Sequence, residues 1–209
     1  MNTEPFNEKK TGIKEFLESN SKILLSTITA VVLFIAVFFW FDHSKKEKRV
    51  NIAEDYIEAK VLLMNNNKSK SYEVLRKIIL KEDQIYSPLS LFLIIDQDLE
   101  TNKEIIIEYF DNILSIKNIE KEDLNLLRLK KAIFISPESN EQDILNLLNP
   151  VINTDSVWKN QSLKFIGDYF FSLNQFKKAS QYYSILLDTD DENIDLNDIK
   201  RKMKLIKND

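Results

Sequence analysis

Residues 163–186 read LKFIGDYFFSLNQFKKASQYYSIL, and the fold turns on this stretch. Its apolar side chains recur at helical spacing, as in Phe165, Ile166, Tyr169 and Phe170, and predict helices near 156–172 and 175–187. Two small residues, Gly167 and Ala179, let those helices approach closely. Phe170, Phe176 and Tyr183 fill the space around them, with Ile166 before and Leu186 after. The chain has two glycines, and Gly167 is the one that lies beyond residue 42.

Working outward, helix starts can be read from capping chemistry. Ser87-Pro88 reads as an N-cap followed by proline at the first helical position. Asn140 stands before Glu141 and Asp143, Asp155-Ser156 before another apolar run, and Asp195 before the last one. The map has an exit helix running to about Met64. Helices follow near 71–81, 87–99, 103–116, 121–135, 141–152, 156–172, 175–187 and 195–206. Pairs begin near 51, 87, 121 and 156, a step close to 34 residues. Such a step marks stacked helical hairpins of the tetratricopeptide (TPR) kind, each of which covers its apolar face with its neighbours.

The expected fold class is therefore all-α: one N-terminal transmembrane helix, then a TPR-like solenoid of about four hairpins with a C-terminal capping helix. The last hairpin departs from the pattern twice, with Leu163 for the first tryptophan and Asp191 where proline usually ends the repeat. The first hairpin is a fainter copy, with Ala59 and Ser71 small and Leu62, Leu75 and Ile78 apolar. The middle two show only helical periodicity. Leu89–Leu99 is apolar nearly all round, as expected of a helix inside a stack.

Residues 23–41 carry no charge, and as a helix they are roughly 28 Å long, close to the thickness of a bilayer core. Trp40 suits the interface, and Asp42, His43, Lys45 and Lys46 close the span. The stretch is long for a cleaved signal, its leader is uncharged overall, and no small-x-small site follows Phe41, so an uncleaved signal anchor is expected. Three segments result: a tail over 1–22, a span over 23–41 and a helical domain over 42–209. Lysines and arginines flank the span in equal number (Lys9, Lys10, Lys14 and Lys22 against Lys45, Lys46, Lys48 and Arg49), so charge does not orient it. Ser26 and Ala30 form one small-xxx-small pair, read as lipid-facing.

Composition narrows the chemistry. Net charge is −4, cysteine is absent and histidine occurs once. No basic face for nucleic acid is implied, no thiolate metal site and no Ser-His-Asp set. The two glycines stand far apart, so no phosphate-binding loop can form. The acidic run Asp188 to Glu192 resembles a calcium loop until its sixth and twelfth positions prove to be Asn193 and Ile199. No catalytic, metal-binding or cofactor-binding residue and no small-molecule substrate is expected. Repeat positions instead place Gln161, Lys164, Asp168 and Phe171 of the last hairpin, and Tyr56, Lys60 and Leu63 of the first, on a concave face able to contact a protein partner.

The span Ile23–Phe41, the stretch Tyr86-Ser87-Pro88-Leu89 and the run from Trp158 to Ile206 resemble the YfgM-like family, the ancillary subunits of the SecYEG translocon. Within that run Trp158, Gly167, Phe176, Ala179 and Tyr183 precede a basic-apolar helix, Ile199-Lys200-Arg201-Lys202-Met203. The resemblance implies a single-pass bacterial inner-membrane protein with its N-terminus in the cytoplasm and its TPR domain in the periplasm. It also implies a non-enzymatic role beside the protein-export channel and its periplasmic chaperones. The alternative is a general envelope organiser, of the cell-division type, that self-associates through the same surfaces.

Overall fold

The computed structural model describes residues 21–189 and 194–208. The chain divides into two compact units, residues 1–51 and 52–209. A helix, α1, occupies Ser21–Met64. In the first unit Val31, Val32, Leu33, Phe34 and Trp40 are all more than half exposed. Among the described residues, no helix is long and apolar enough to cross a membrane. Part of the expected span falls outside them: the side chains of Ile23, Leu24, Leu25, Thr27, Ile28, Phe39 and Phe41 are not described, nor is the tail over 1–20.

The second unit continues with α2 (Lys68–Ile79), α3 (Tyr86–Asp96), α4 (Lys103–Leu114), α5 (Lys121–Ile135), α6 (Glu141–Ile152), α7 (Lys159–Ser172), α8 (Phe176–Leu187) and α9 (Leu196–Asn208). No strand occurs among the described residues, and the all-α expectation holds. From α2 onward helices adjacent in sequence pack on one another, as a solenoid requires, and Ser71 of α2 is hydrogen-bonded to Ala59 of α1.

Equivalent positions recur through all four hairpins. Ala59, Ile94, Ala132 and Gly167 occupy one; Ser71, Ile106, Ile144 and Ala179 a second; Leu75, Phe110, Leu148 and Tyr183 a third. All twelve are buried. The steps between hairpins are 35, 38 and 35 residues, so three extra residues enter between the second and third. The core forms two clusters that divide along α5: Leu127 packs with the hairpins before it, and Leu129 and Ala132 with those after.

With almost no glycine, other residues make the tight turns. Asn66, Asp98 and Asn174 adopt left-handed φ values of 57°, 49° and 57°. In each case its N–H bonds the carbonyl three residues back, and the next N–H reaches five back: Asn66 to Leu63 and Asn67 to Leu62, Asp98 to Ile95 and Leu99 to Ile94, Asn174 to Phe171 and Gln175 to Phe170. This is the Schellman closure of a helix end, repeated in the first, second and fourth hairpins.

Two of the four expected caps hold. Asn140 Oδ1 accepts from the Asp143 N–H at 3.1 Å. Asp195 Oδ1 accepts from the Asn197 and Asp198 N–H groups. The other two need correction. Ser87 lies inside α3, buried, and its hydroxyl donates to the Ile78 carbonyl at 3.0 Å. Asp83 opens that helix instead, accepting from the Ile85 and Tyr86 N–H groups. Ser156 precedes the first residue of α7 by three positions. Its oxygen still accepts from the Trp158 N–H at 3.2 Å, but its hydroxyl donates to Glu122 at 2.7 Å, tying the third hairpin to the fourth.

Candidate functional site

α3 carries more apolar residues than the core can use. Leu91 and Ile94 are completely buried, while Leu89 stays 40% exposed and Phe92 and Leu93 are half-buried. The same surplus arises on α5, where Leu127, Leu129 and Ala132 go to the core and Ile133 remains 45% exposed. The surplus side chains face each other across a cleft of about 500 Å³. Phe92 and Leu93 line it from α3, Leu126, Ile133 and Phe134 from α5, Phe110 from α4 and Tyr56 from α1. The Phe134 ring rests tilted on Phe110 with centroids 5.9 Å apart. Tyr56 is braced by Tyr86 at 5.7 Å. Burial, with Tyr86 adding to it, pushes the Tyr56 hydroxyl above the usual tyrosine range, so it stays neutral.

Two charged side chains stand on the rim, Asp96 and Lys130. Asp96 accepts a hydrogen bond from the Gln97 amide at 2.9 Å. Lys130 is exposed and makes no ion pair among the described residues, whereas its neighbour Lys131 pairs with Asp111. The cleft offers shape, apolar surface, one carboxylate already hydrogen-bonded to Gln97 and one cation without an ion pair among the described residues.

The structure separates the expected groove residues. Tyr56 lines the cleft; Lys60 is exposed and Leu63 half-buried, and neither lines it. In the last hairpin Gln161 is exposed, but Lys164, Asp168 and Phe171 meet α9. Asp168 is the hub. Its carboxylate accepts from Tyr183 Oη at 2.7 Å, Lys202 Nζ at 2.6 Å and Lys164 Nζ at 2.6 Å. Lys202 also pairs with Asp198 at 2.8 Å, and its ammonium stands 6.0 Å from the ring centroids of Phe171 and Tyr183. Burial pushes the Asp168 carboxyl up, but the hydrogen bonds from Lys164, Lys202 and Tyr183 outweigh it and hold the group below the usual range.

Of the packing residues, Ile166, Gly167, Phe170, Ala179, Tyr183 and Leu186 are buried. Phe176 is half-buried against Phe171, with centroids 5.5 Å apart. In the first hairpin the matching contact is closed by a hydrogen bond, Ser71 Oγ to the Ala59 carbonyl at 2.9 Å.

Sequence reasoning passed over Leu89, Phe92, Leu126 and Ile133. The apolar surplus of α3 signals Leu89 and Phe92 but reads equally well as core, and Leu126 and Ile133 carry no signal beyond helical spacing. Among the described residues, no group of three acidic or histidine side chains could hold a metal. The His43 side chain and the acidic run from Asp190 on lie outside the described residues.

No family model matches the chain. It is similar to the ancillary SecYEG translocon subunit of Buchnera aphidicola subsp. Acyrthosiphon pisum, 24% identical over 193 residues that cover 90% of this chain and 96% of that one. This bears out the resemblance to the YfgM-like family. In fold it is similar to a crystal structure of the nearly identical TPR-like repeats of a Podosopora anserina kinesin light chain. The TM-score is 0.52 at 10% identity, covering 76% of this chain and 85% of that one. The helical unit has a TPR-like fold.

Proposed function

We propose that this chain is a non-enzymatic, membrane-anchored TPR scaffold: an ancillary subunit of the Sec protein-export translocon that works with periplasmic chaperones. Residues 1–22 form a cytoplasmic tail, residues 23–41 span the inner membrane as a signal anchor, and residues 42–209 form the helical domain in the periplasm. The observation that carries the reading is the end-to-end similarity to an ancillary SecYEG translocon subunit. A match over 90% of a 209-residue chain must include the uncharged stretch 23–41. The cleft supports the scaffold part, because an open apolar surface rimmed by few charges suits a protein partner.

Two measurements test it. Reporter fusions at the C-terminus, each active on one side of the membrane, should signal from the periplasm; a cytoplasmic signal overturns the export role. Affinity purification through the intact anchor should recover translocon and chaperone components. Recovery of neither, with the protein found at mid-cell, would favour the envelope organiser.

A further inference from the structure

We infer that the cleft between α3 and α5 receives one amphipathic helix of a partner protein, which sets bulky apolar side chains among Phe92, Ile133 and Phe134 and a carboxylate against Lys130. The inference deepens the scaffold reading and rests on it.

Three observations point to this occupant. The first is size and lining. A cleft of about 500 Å³ walled by side chains of two helices suits the anchors that a single helix presents at i, i+3, i+4 and i+7. The second is charge. Lys130 stands on the α5 wall with no ion pair among the described residues, whereas Asp96 on the α3 side is hydrogen-bonded to Gln97, so a ligand that sets a carboxylate against α5 gains where one that sets an ammonium there is repelled. The third is a precedent inside the chain. α9 is an amphipathic helix seated on the fourth hairpin: Ile199 is buried, Met203 and Ile206 pack against the core, and Lys202 answers Asp168. The cleft repeats that arrangement with the sign reversed, Lys130 on α5 offering a cation to a partner's carboxylate.

The test uses the full chain in nanodiscs. Two fluorescent helical peptides of roughly 16 residues, long enough to hold a helix, carry leucines at i, i+3, i+4 and i+7. They differ at one flanking position, glutamate in one and lysine in the other. Anisotropy should show the glutamate peptide binding about fivefold tighter, and Lys130→Glu should reverse that preference. Ile133→Asp, at a position already exposed, should weaken both about tenfold while circular dichroism stays unchanged. Equal affinity of the native chain for the two peptides, or binding that Ile133→Asp leaves intact, overturns the inference. A chain that still recovers the translocon yet shows no charge preference loses this inference alone; a chain that shows the reversal but never meets the translocon keeps it and loses only the export assignment.

Discussion

A Cβ atom placed on Gly167 would lie 2.5 Å from Cε1 and 2.7 Å from Cδ1 of Tyr183. The tyrosine has little room to retreat, since it is completely buried and its hydroxyl is tied to Asp168. In an open helix, replacing glycine by alanine stabilises by about 1 kcal/mol. Here the sign should invert. Gly167→Ala is expected to cost about 1–3 kcal/mol, the usual penalty for overpacking, and to lower Tm accordingly. Adding Tyr183→Leu should recover part of the Gly167→Ala loss in a double-mutant cycle. A higher Tm for Gly167→Ala would refute the close approach of α7 and α8.

Two buried serines should respond in opposite ways. Ser71 Oγ donates to the Ala59 carbonyl, whereas Ser162 Oγ is buried with no hydrogen-bond partner among the described residues. Ser71→Ala should therefore destabilise by about 1 kcal/mol, and Ser162→Ala should stabilise by a similar amount. Urea titrations of the two variants side by side provide the check. Two losses of equal size would mean that Ser162 does make a hydrogen bond.

Left-handed backbone at residues with a Cβ is a local cost that glycine removes. Glu82 has φ 53° and Asn174 has φ 57°. Asparagine tolerates that region better than glutamate does. Glu82→Gly is expected to gain about 0.5–1 kcal/mol, and Asn174→Gly less. The order of the two midpoints in thermal melts decides the matter.

The seat of α9 should depend on pH. Hydrogen bonds hold the Asp168 carboxyl low against the opposing effect of burial, and the hydrogen bond from Lys202 chiefly holds Asp198 low. Depressed carboxyls contribute stability above their ordinary pKa and lose it as pH falls through the depressed values. Burial pulls the Lys202 ammonium down, but its bonds to Asp168 and Asp198 raise it overall, so its contribution is present below the ordinary lysine pKa and fades as pH rises through the raised one. α9 should thus be held best near neutrality and loosen in acid before the other helices. Hydrogen exchange of residues 196–208 between neutral pH and about pH 3, with exchange times corrected for pH, would show it. Uniform loosening across α2 to α9 would contradict it.

Helix positions were legible because periodicity and polar breaks are local signals, and α5 and α6 fall where the sequence put them. Helix starts were less so. Ser87 and Ser156 have the chemistry of caps, but Ser87 gives its hydroxyl to Ile78, and Ser156, while accepting from the Trp158 N–H, donates to Glu122 and stands three residues ahead of α7. The middle hairpins hid their repeat because isoleucine fills the small-residue positions at Ile94 and Ile106, and because three extra residues shift the third hairpin out of step. The cleft was illegible for a different reason. Leu89, Phe92 and Ile133 have the spacing of core residues, and only tertiary packing reveals that the core is already full without them. The groove expected at Lys164, Asp168 and Phe171 could not be distinguished from a seat for the chain's own last helix, since both uses call for the same side chains.

α5 belongs to both halves of the core, like a party wall between two rooms. Leu127 furnishes one side and Leu129 the other. Trimming Leu127 should weaken the room nearer the N-terminus, and trimming Leu129 the other. Melting the wall itself opens both, so two clusters that share few atoms still share a fate.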